Sequence, residues 1–163
     1  MRLALNGATI MRSPLTDDVE IAAETGFSAL EVWAGKLDGY LQSHSLEELA
    51  HNMRSLGIVP WCINSIEDIT YRDAAGRRDL LAHLDRMATV ARAIGAPSIV
   101  VVPGRRPDGF GRHEAIADAV SILRDMSDAA GDVGLAFEFL GKDRKSTRLN
   151  SSHIQKSRMP SSA

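Results

Sequence analysis

A carboxylate near the end of an apolar run poses the first chemical question. In VGLAFEFLG, Val133–Gly141, strand alternation places Leu135, Phe137 and Phe139 on one side and Gly134, Ala136 and Glu138 on the other. The bulky side is suited to packing under helices, so Glu138 is expected to project from the opposite face. An unpaired charge there costs several kcal/mol unless protonation, a counter-charge or a metal neutralises it. Two partners would meet that demand: an arginine or lysine of a neighbouring strand, or a metal or catalytic centre. A second carboxylate, Glu31, shares one side of its strand with Ala29 and Trp33. Substrate contact, support for the surroundings of Glu138 and a structural ion pair all fit it. Asn6 and Asn64 end two further strand candidates and suit hydrogen bonding to a ligand or simple turn chemistry. Trp33 and Trp61 suit an apolar wall of a binding site, with core packing as the ordinary alternative.

The other reactive side chains point elsewhere. His44, His51, His83 and His113 fall in loops or helices and read as solvated or locally hydrogen-bonded. Arg105 and Arg106 follow the fourth strand candidate, where they suit an anionic substrate or the solvation of a loop. Cys62, the single cysteine, excludes an internal disulfide and a cysteine-based zinc site. Gly109–Gly111 lacks the third glycine of a dinucleotide-binding turn and follows no strand directly. His113–Glu114 continues with Ala115, Ile116 and Ala117, so it is not a zinc-protease helix, and no Walker loop or serine elbow occurs. A formal charge of −2 and a pI near 6.2 leave no basic footprint for nucleic acid or a membrane surface. The opening MRLALNGATIMRSPLTDD has no signal-peptide apolar core, and no later apolar run approaches about 20 residues, which predicts a cytoplasmic protein.

The elements that must position these groups alternate regularly. Strand candidates at Leu3–Asn6, Ala29–Trp33, Ile58–Asn64, Ser98–Val102 and Val133–Phe139 are separated by four amphipathic segments, each stopped by a glycine. The first helix is predicted to start with Thr16 as N-cap, followed by Asp17 and Asp18 at the positive dipole end, and to stop at Gly26. The second opens on a capping box, Ser45 with Glu48, and repeats Leu46, Leu49, Ala50, Met53 and Leu56 until Gly57. The third carries Leu80, Leu81, Leu84, Met87, Ala88, Ala91 and Ile94. The fourth carries Ile116, Val120, Leu123, Met126 and Ala130, and both are expected to face a core. Helix-to-strand connections are short, whereas strand-to-helix connections such as NGATIMRSPL and PGRRPDGFGR are long. In parallel α/β proteins the long ones leave the carboxyl ends of the strands, where ligands bind. This pattern implies a parallel sheet and, by itself, suits a barrel or an open sheet equally.

From Asp143 the composition changes. Asp143–Ala163, DRKSTRLNSSHIQKSRMPSSA, holds five Lys or Arg against one acidic residue, so residues 1–142 alone carry a net −6. Such a segment reads as a disordered basic tail. It also matches an in-frame translation of a sequencing-library adapter, DRKSTRLNSSH and SRMPSSA being its constant blocks around a variable Ile154–Lys156. Residues 143–163 are therefore expected to be foreign to the gene, with no function assigned to His153, and residues 1–142 to be part of one domain.

Four motifs, LNGAT at Leu5–Thr9, ALEVW at Ala29–Trp33, HSLEEL at His44–Leu49 and LAFEFLG at Leu135–Gly141, fall in order across nearly all of residues 1–142. Together they resemble the xylose-isomerase-like TIM barrel family of sugar isomerases and epimerases, and within it the inosose (2-keto-myo-inositol) isomerases. The resemblance implies an α/β fold, a partial (β/α)8 barrel of about four and a half units with outer helices, where a complete barrel needs about 250 residues. It implies that Glu138 is both a catalytic residue and a ligand of a divalent ion, Zn2+ or Mn2+ foremost and Mg2+ or Co2+ as alternatives. An aspartate, a histidine and a second glutamate from later strands would complete that site. The chemistry implied is proton abstraction next to a carbonyl through an enediolate, with Asn6, Glu31, Trp33 and Asn64 as substrate-binding candidates. One carboxylate does not hold a catalytic ion, so the chain is expected to be inactive as written. Unpaired edge strands predict self-association, as a homo-oligomer or an aggregate. Two alternatives stand beside this reading: an endonuclease IV-like DNA-repair barrel, disfavoured by the acidic body, and a non-enzymatic open-sheet binding module.

Overall fold

The computed structural model describes residues 3–138. Expectations for Phe139, for the end of the fifth strand and for the segment 143–163 lie outside the described residues. Five strands, β1 (Ala4–Asn6), β2 (Ala29–Trp33), β3 (Val59–Ile66), β4 (Ser98–Val101) and β5 (Gly134–Phe137), form one sheet. Their order in the sheet is their order in the chain, and every adjacent pair is parallel. A doubly wound open sheet reverses its order at a switch point. No reversal occurs among the described strands, so of the two architectures the sequence allowed, the structure shows the partial barrel.

The helices α1 (Leu15–Glu24), α2 (Leu37–Tyr40), α3 (Leu46–Ser55), α4 (Ala74–Ile94) and α5 (Arg112–Ala130) fill the crossovers, with 3-10 turns at Gly7–Ile10 and Ala34–Lys36. Strand residues Leu30, Val32, Ile63, Ile99 and Val101 are buried in one core with Val19, Leu49, Met53, Leu84, Ile122 and Met126 from the helices. Each large aliphatic side chain so covered contributes roughly 1.5–3 kcal/mol of transfer free energy. The opposite face of the sheet carries a separate small cluster of Cys62, Val100 and Val102.

Local chemistry sets the helix ends. Ser45 Oγ accepts from the Glu48 backbone N–H (3.1 Å), and the Glu48 carboxylate accepts from the Ser45 N–H (2.6 Å), so the expected capping box closes. That backbone donor is the main reason the Glu48 carboxyl sits below its ordinary pKa. Gly57, at φ +71°, provides the left-handed exit from α3. The α1 entry differs from expectation. The helix begins at Leu15, the extended Pro14 occupies the N-cap without a side-chain bond, and Thr16 lies inside the first turn with its hydroxyl donating to Asp17. Proline at that point already fixes the backbone angle that starts the helix.

Three apolar positions also depart from expectation. Ile116 and Val120 on α5 are 51% and 42% exposed, and Ile122 takes the buried position instead. Phe137, on the helix side of β5 opposite Val101, is 42% exposed. All three lie at the end of the sheet where β5 is the last described strand and no further described helix packs. Trp61 is not in the core; it is 52% exposed beside an irregularity where the β2–β3 register shifts between Leu30 and Glu31.

Candidate active site at the carboxyl ends of the strands

Register brings the sequence-selected residues together. Asn6 is the partner of Glu31 across β1 and β2, Glu31 that of Cys62 across β2 and β3, and Trp33 that of Asn64. Side chains at these positions share the sheet face opposite the helices. There the amides of Asn6 (2.9 Å) and Asn64 both donate to the same carboxylate oxygen, Oε1 of Glu31. Asn6 has a fixed orientation, because its Oδ1 accepts the backbone N–H of Ala8 (2.8 Å) while capping the Gly7–Ile10 turn. Its NH2 group is thereby directed at Glu31.

The backbone around this group is equally constrained. A Cβ at Gly7 would approach the Glu31 carbonyl to 3.1 Å and the Trp33 nitrogen to 3.2 Å, so a larger residue there would press the turn after β1 against the β2 backbone. The Trp33 ring covers Gly35 so closely that a Cβ there would come within 2.9 Å of it. Cys62 is buried next to Glu31, and its thiol is pushed up to about 12 by desolvation first, then by the Glu31 charge and a hydrogen bond to it. The sequence marked Cys62 only as an unpaired thiol; strand register was needed to place it beside Glu31.

Glu138 continues this face. Its backbone N–H donates to the Val101 carbonyl (3.0 Å), extending the β4–β5 ladder one residue past β5. Ala136 is opposite Val100, which is opposite Asn64, so Glu138 falls on the Asn64 and Glu31 side of the sheet. The expectation of a charge in a costly buried environment is not met: Glu138 is exposed. No described strand flanks β5 on its outer side, so water reaches the carboxylate. The arginine or lysine partner is also missing, since no ion pair among the described residues involves Glu138. Among the described residues no group of three or more His, Cys, Asp or Glu side chains is placed to hold a metal. Glu138 alone does not meet the usual requirement of at least three protein ligands.

The sequence reading missed a buried ion pair under the same loops. Lys36 Nζ lies 2.6 Å from both Asp18 oxygens, and it also donates to the Ile10 carbonyl (2.9 Å) and to Ser13 Oγ (3.2 Å). This pair ties the turn after β1 and the turn after β2 to the start of α1. Asp18 was legible only as a first-turn acid, and nothing in the sequence around Lys36 signals burial. On the other side of the site, Asp118 of α5 accepts from the Tyr71 N–H (2.8 Å) and from Arg77 (2.7 Å), pinning the connection after β3. The four described histidines lie outside the Asn6–Glu31–Asn64 group. His44 stacks on Tyr40 at 4.5 Å, and His83 is held below its ordinary pKa by burial and then by Arg86. Arg105 and Arg106 are exposed on the connection after β4.

A family model described as xylose isomerase-like TIM barrel matches residues 19–151. The chain belongs to the xylose isomerase-like TIM barrel family. Within that family it is similar to an inosose isomerase of Halalkalibacterium halodurans, 30% identical over 145 residues that cover 86% of this chain and 51% of the relative. An inosose isomerase of Bacillus velezensis is likewise 30% identical, with 86% and 52% covered. Among solved structures, the IolI protein with a bound zinc atom superimposes with a TM-score of 0.82 at 29% identity, over 86% of this chain and 52% of its own. D-psicose 3-epimerase from Clostridium cellulolyticum shares the fold at a TM-score of 0.66 and 16% identity. The chain spans about half the length of the curated relatives it matches. No described helix is long and apolar enough to cross a membrane.

Proposed function

We propose that this chain supplies the first five strands of a divalent-metal-dependent isomerase or epimerase acting on a sugar or cyclitol, with a 2-keto-cyclitol such as inosose as the favoured substrate. The observation that carries this reading is the placement of Glu138 on the same sheet face, and at the same end of the strands, as the Asn6–Glu31–Asn64 group. A free carboxylate on the same sheet face as a polar cradle suits proton transfer next to a carbonyl. Glu138 takes the proton from the carbon next to the carbonyl. The C–H electron pair moves into an enediolate, the hydroxyl proton passes to the former carbonyl oxygen, and the abstracted proton returns to the former carbonyl carbon, so isomerisation proceeds with no net redox change. Glu31, Asn6 and Asn64 hold the hydroxyl-bearing part of the substrate, with Trp33 beside them.

The inosose isomerase relatives support the substrate class, and the zinc in the IolI structure supports a divalent ion. The described residues do not themselves hold an ion, so the reading assigns the remaining ligands to polypeptide beyond residue 138. On this reading the 163-residue chain is inactive alone. A repair nuclease is the weaker alternative, because residues 1–142 carry a net −6 that would repel a phosphate backbone.

The test joins residues 1–138 to the carboxyl-terminal half of the H. halodurans inosose isomerase and assays the product with 2-keto-myo-inositol. Turnover by the joined protein, its loss on chelation and no turnover by the 163-residue chain are expected. A well-folded joined protein that never turns over would refute the assignment.

A further inference from the structure

We infer that Glu31 is the hydroxyl-binding acceptor of the site, and that Asn6 and Asn64 are positioning residues that act through Glu31. This deepens the proposed function and rests on its assignment of the substrate to this sheet face. Three observations carry it. Both asparagine amides donate to a single carboxylate oxygen, Oε1, so the two side chains hold Glu31 from neighbouring strands. Asn6 cannot turn its amide over without losing the Ala8 N–H bond that caps the following turn. The Cys62 thiol, buried beside the Glu31 carboxylate, is a weak donor and does not occupy it as the two amides occupy Oε1. A carboxylate clamped at one oxygen keeps the other in a fixed direction, and such an oxygen accepts strongly from a hydroxyl. The ligand class is therefore a polyol with an exposed hydroxyl, bound through a charge-assisted hydrogen bond that requires no metal.

The experiment is saturation-transfer difference NMR on the full 163-residue chain with myo-inositol as the probe, comparing the chain with Glu31→Gln, Asn6→Asp, Asn64→Asp and Asn64→Gln. The aspartate variants retain an oxygen able to bind a hydroxyl directly, but place a second carboxylate against Glu31 and remove the donor. Glutamine keeps the donor. The expected result is binding by the unmodified chain, about tenfold weaker binding in Glu31→Gln and both aspartate variants, and partial recovery in Asn64→Gln. Circular dichroism melting of each variant separates loss of binding from loss of fold, and the glutamine variant carries the test if an aspartate variant unfolds. Undiminished binding by folded aspartate variants, or by Glu31→Gln, would overturn the inference, as would no detectable binding by the unmodified chain. Because no turnover and no ion enter this measurement, its failure is distinct from failure of the isomerase assay.

Discussion

Lys36 Nζ lies 2.6 Å from an Asp18 carboxylate oxygen at a place where the two side chains are 5% and 0% exposed. The pair is tied in further by Ile10 and Ser13, so the loops that flank Asn6 and Trp33 hang on one buried charge contact. Substituting Lys36→Met leaves the Asp18 carboxylate buried without its cation and is expected to cost about 3–5 kcal/mol. Urea unfolding checks it, and the double variant Asp18→Leu with Lys36→Met is expected to recover most of the loss. An unchanged midpoint in Lys36→Met would show that the pair contributes nothing.

The Cys62 thiol offers a second test. Raised to about 12 by burial and then by Glu31, it is expected to react with iodoacetamide far more slowly at pH 8 than an unfolded thiol. Glu31→Gln removes the neighbouring charge and leaves burial, so it should speed alkylation without bringing it to the unfolded rate. The sign for stability follows. The folded state keeps the proton longer than the unfolded one, so the thiol's contribution is constant below about 9, the ordinary thiol value, and is lost as pH rises from there toward about 12. Unfolding midpoints measured across that interval should fall faster for the native chain than for Cys62→Ser.

The outer helix α5 separates packing from pattern. Ile122 and Met126 are fully buried, and truncating either to alanine is expected to cost about 2–5 kcal/mol. Ile116 and Val120 belong to the same apolar period yet are exposed. Changing both to lysine should shift stability by no more than about 0.5 kcal/mol per site. Light scattering on the double variant should show less self-association, since those residues flank the open β5 edge. Thermal melts and scattering together check both statements.

Much of this was legible in the sequence for identifiable reasons. The period-two runs and glycine-stopped helices located all five strands, and the Ser45–Glu48 spacing gave the start of α3 because a capping box is a local interaction. Asn6, Glu31, Trp33 and Asn64 were selected as strand-end polar or aromatic residues on what would be one face, and register placed them together. What the sequence did not reveal depended on non-local contact. The Lys36–Asp18 pair spans two crossovers, the convergence of two asparagines on one Glu31 oxygen needs three aligned strands, and the exposure of Ile116, Val120, Phe137 and Glu138 depends on what lies beyond β5. Thr16 was mistaken for a cap because its side chain suits one, while Pro14 had already set the backbone.

The central claim is that Glu138 moves the proton. Its most direct test is solvent-deuterium incorporation into 2-keto-myo-inositol by residues 1–138 joined to the homologous carboxyl-terminal half, with and without Glu138→Gln. The account predicts incorporation at the carbon next to the carbonyl and a loss of at least about a hundredfold in the glutamine variant. Full incorporation by a folded Glu138→Gln protein would contradict it.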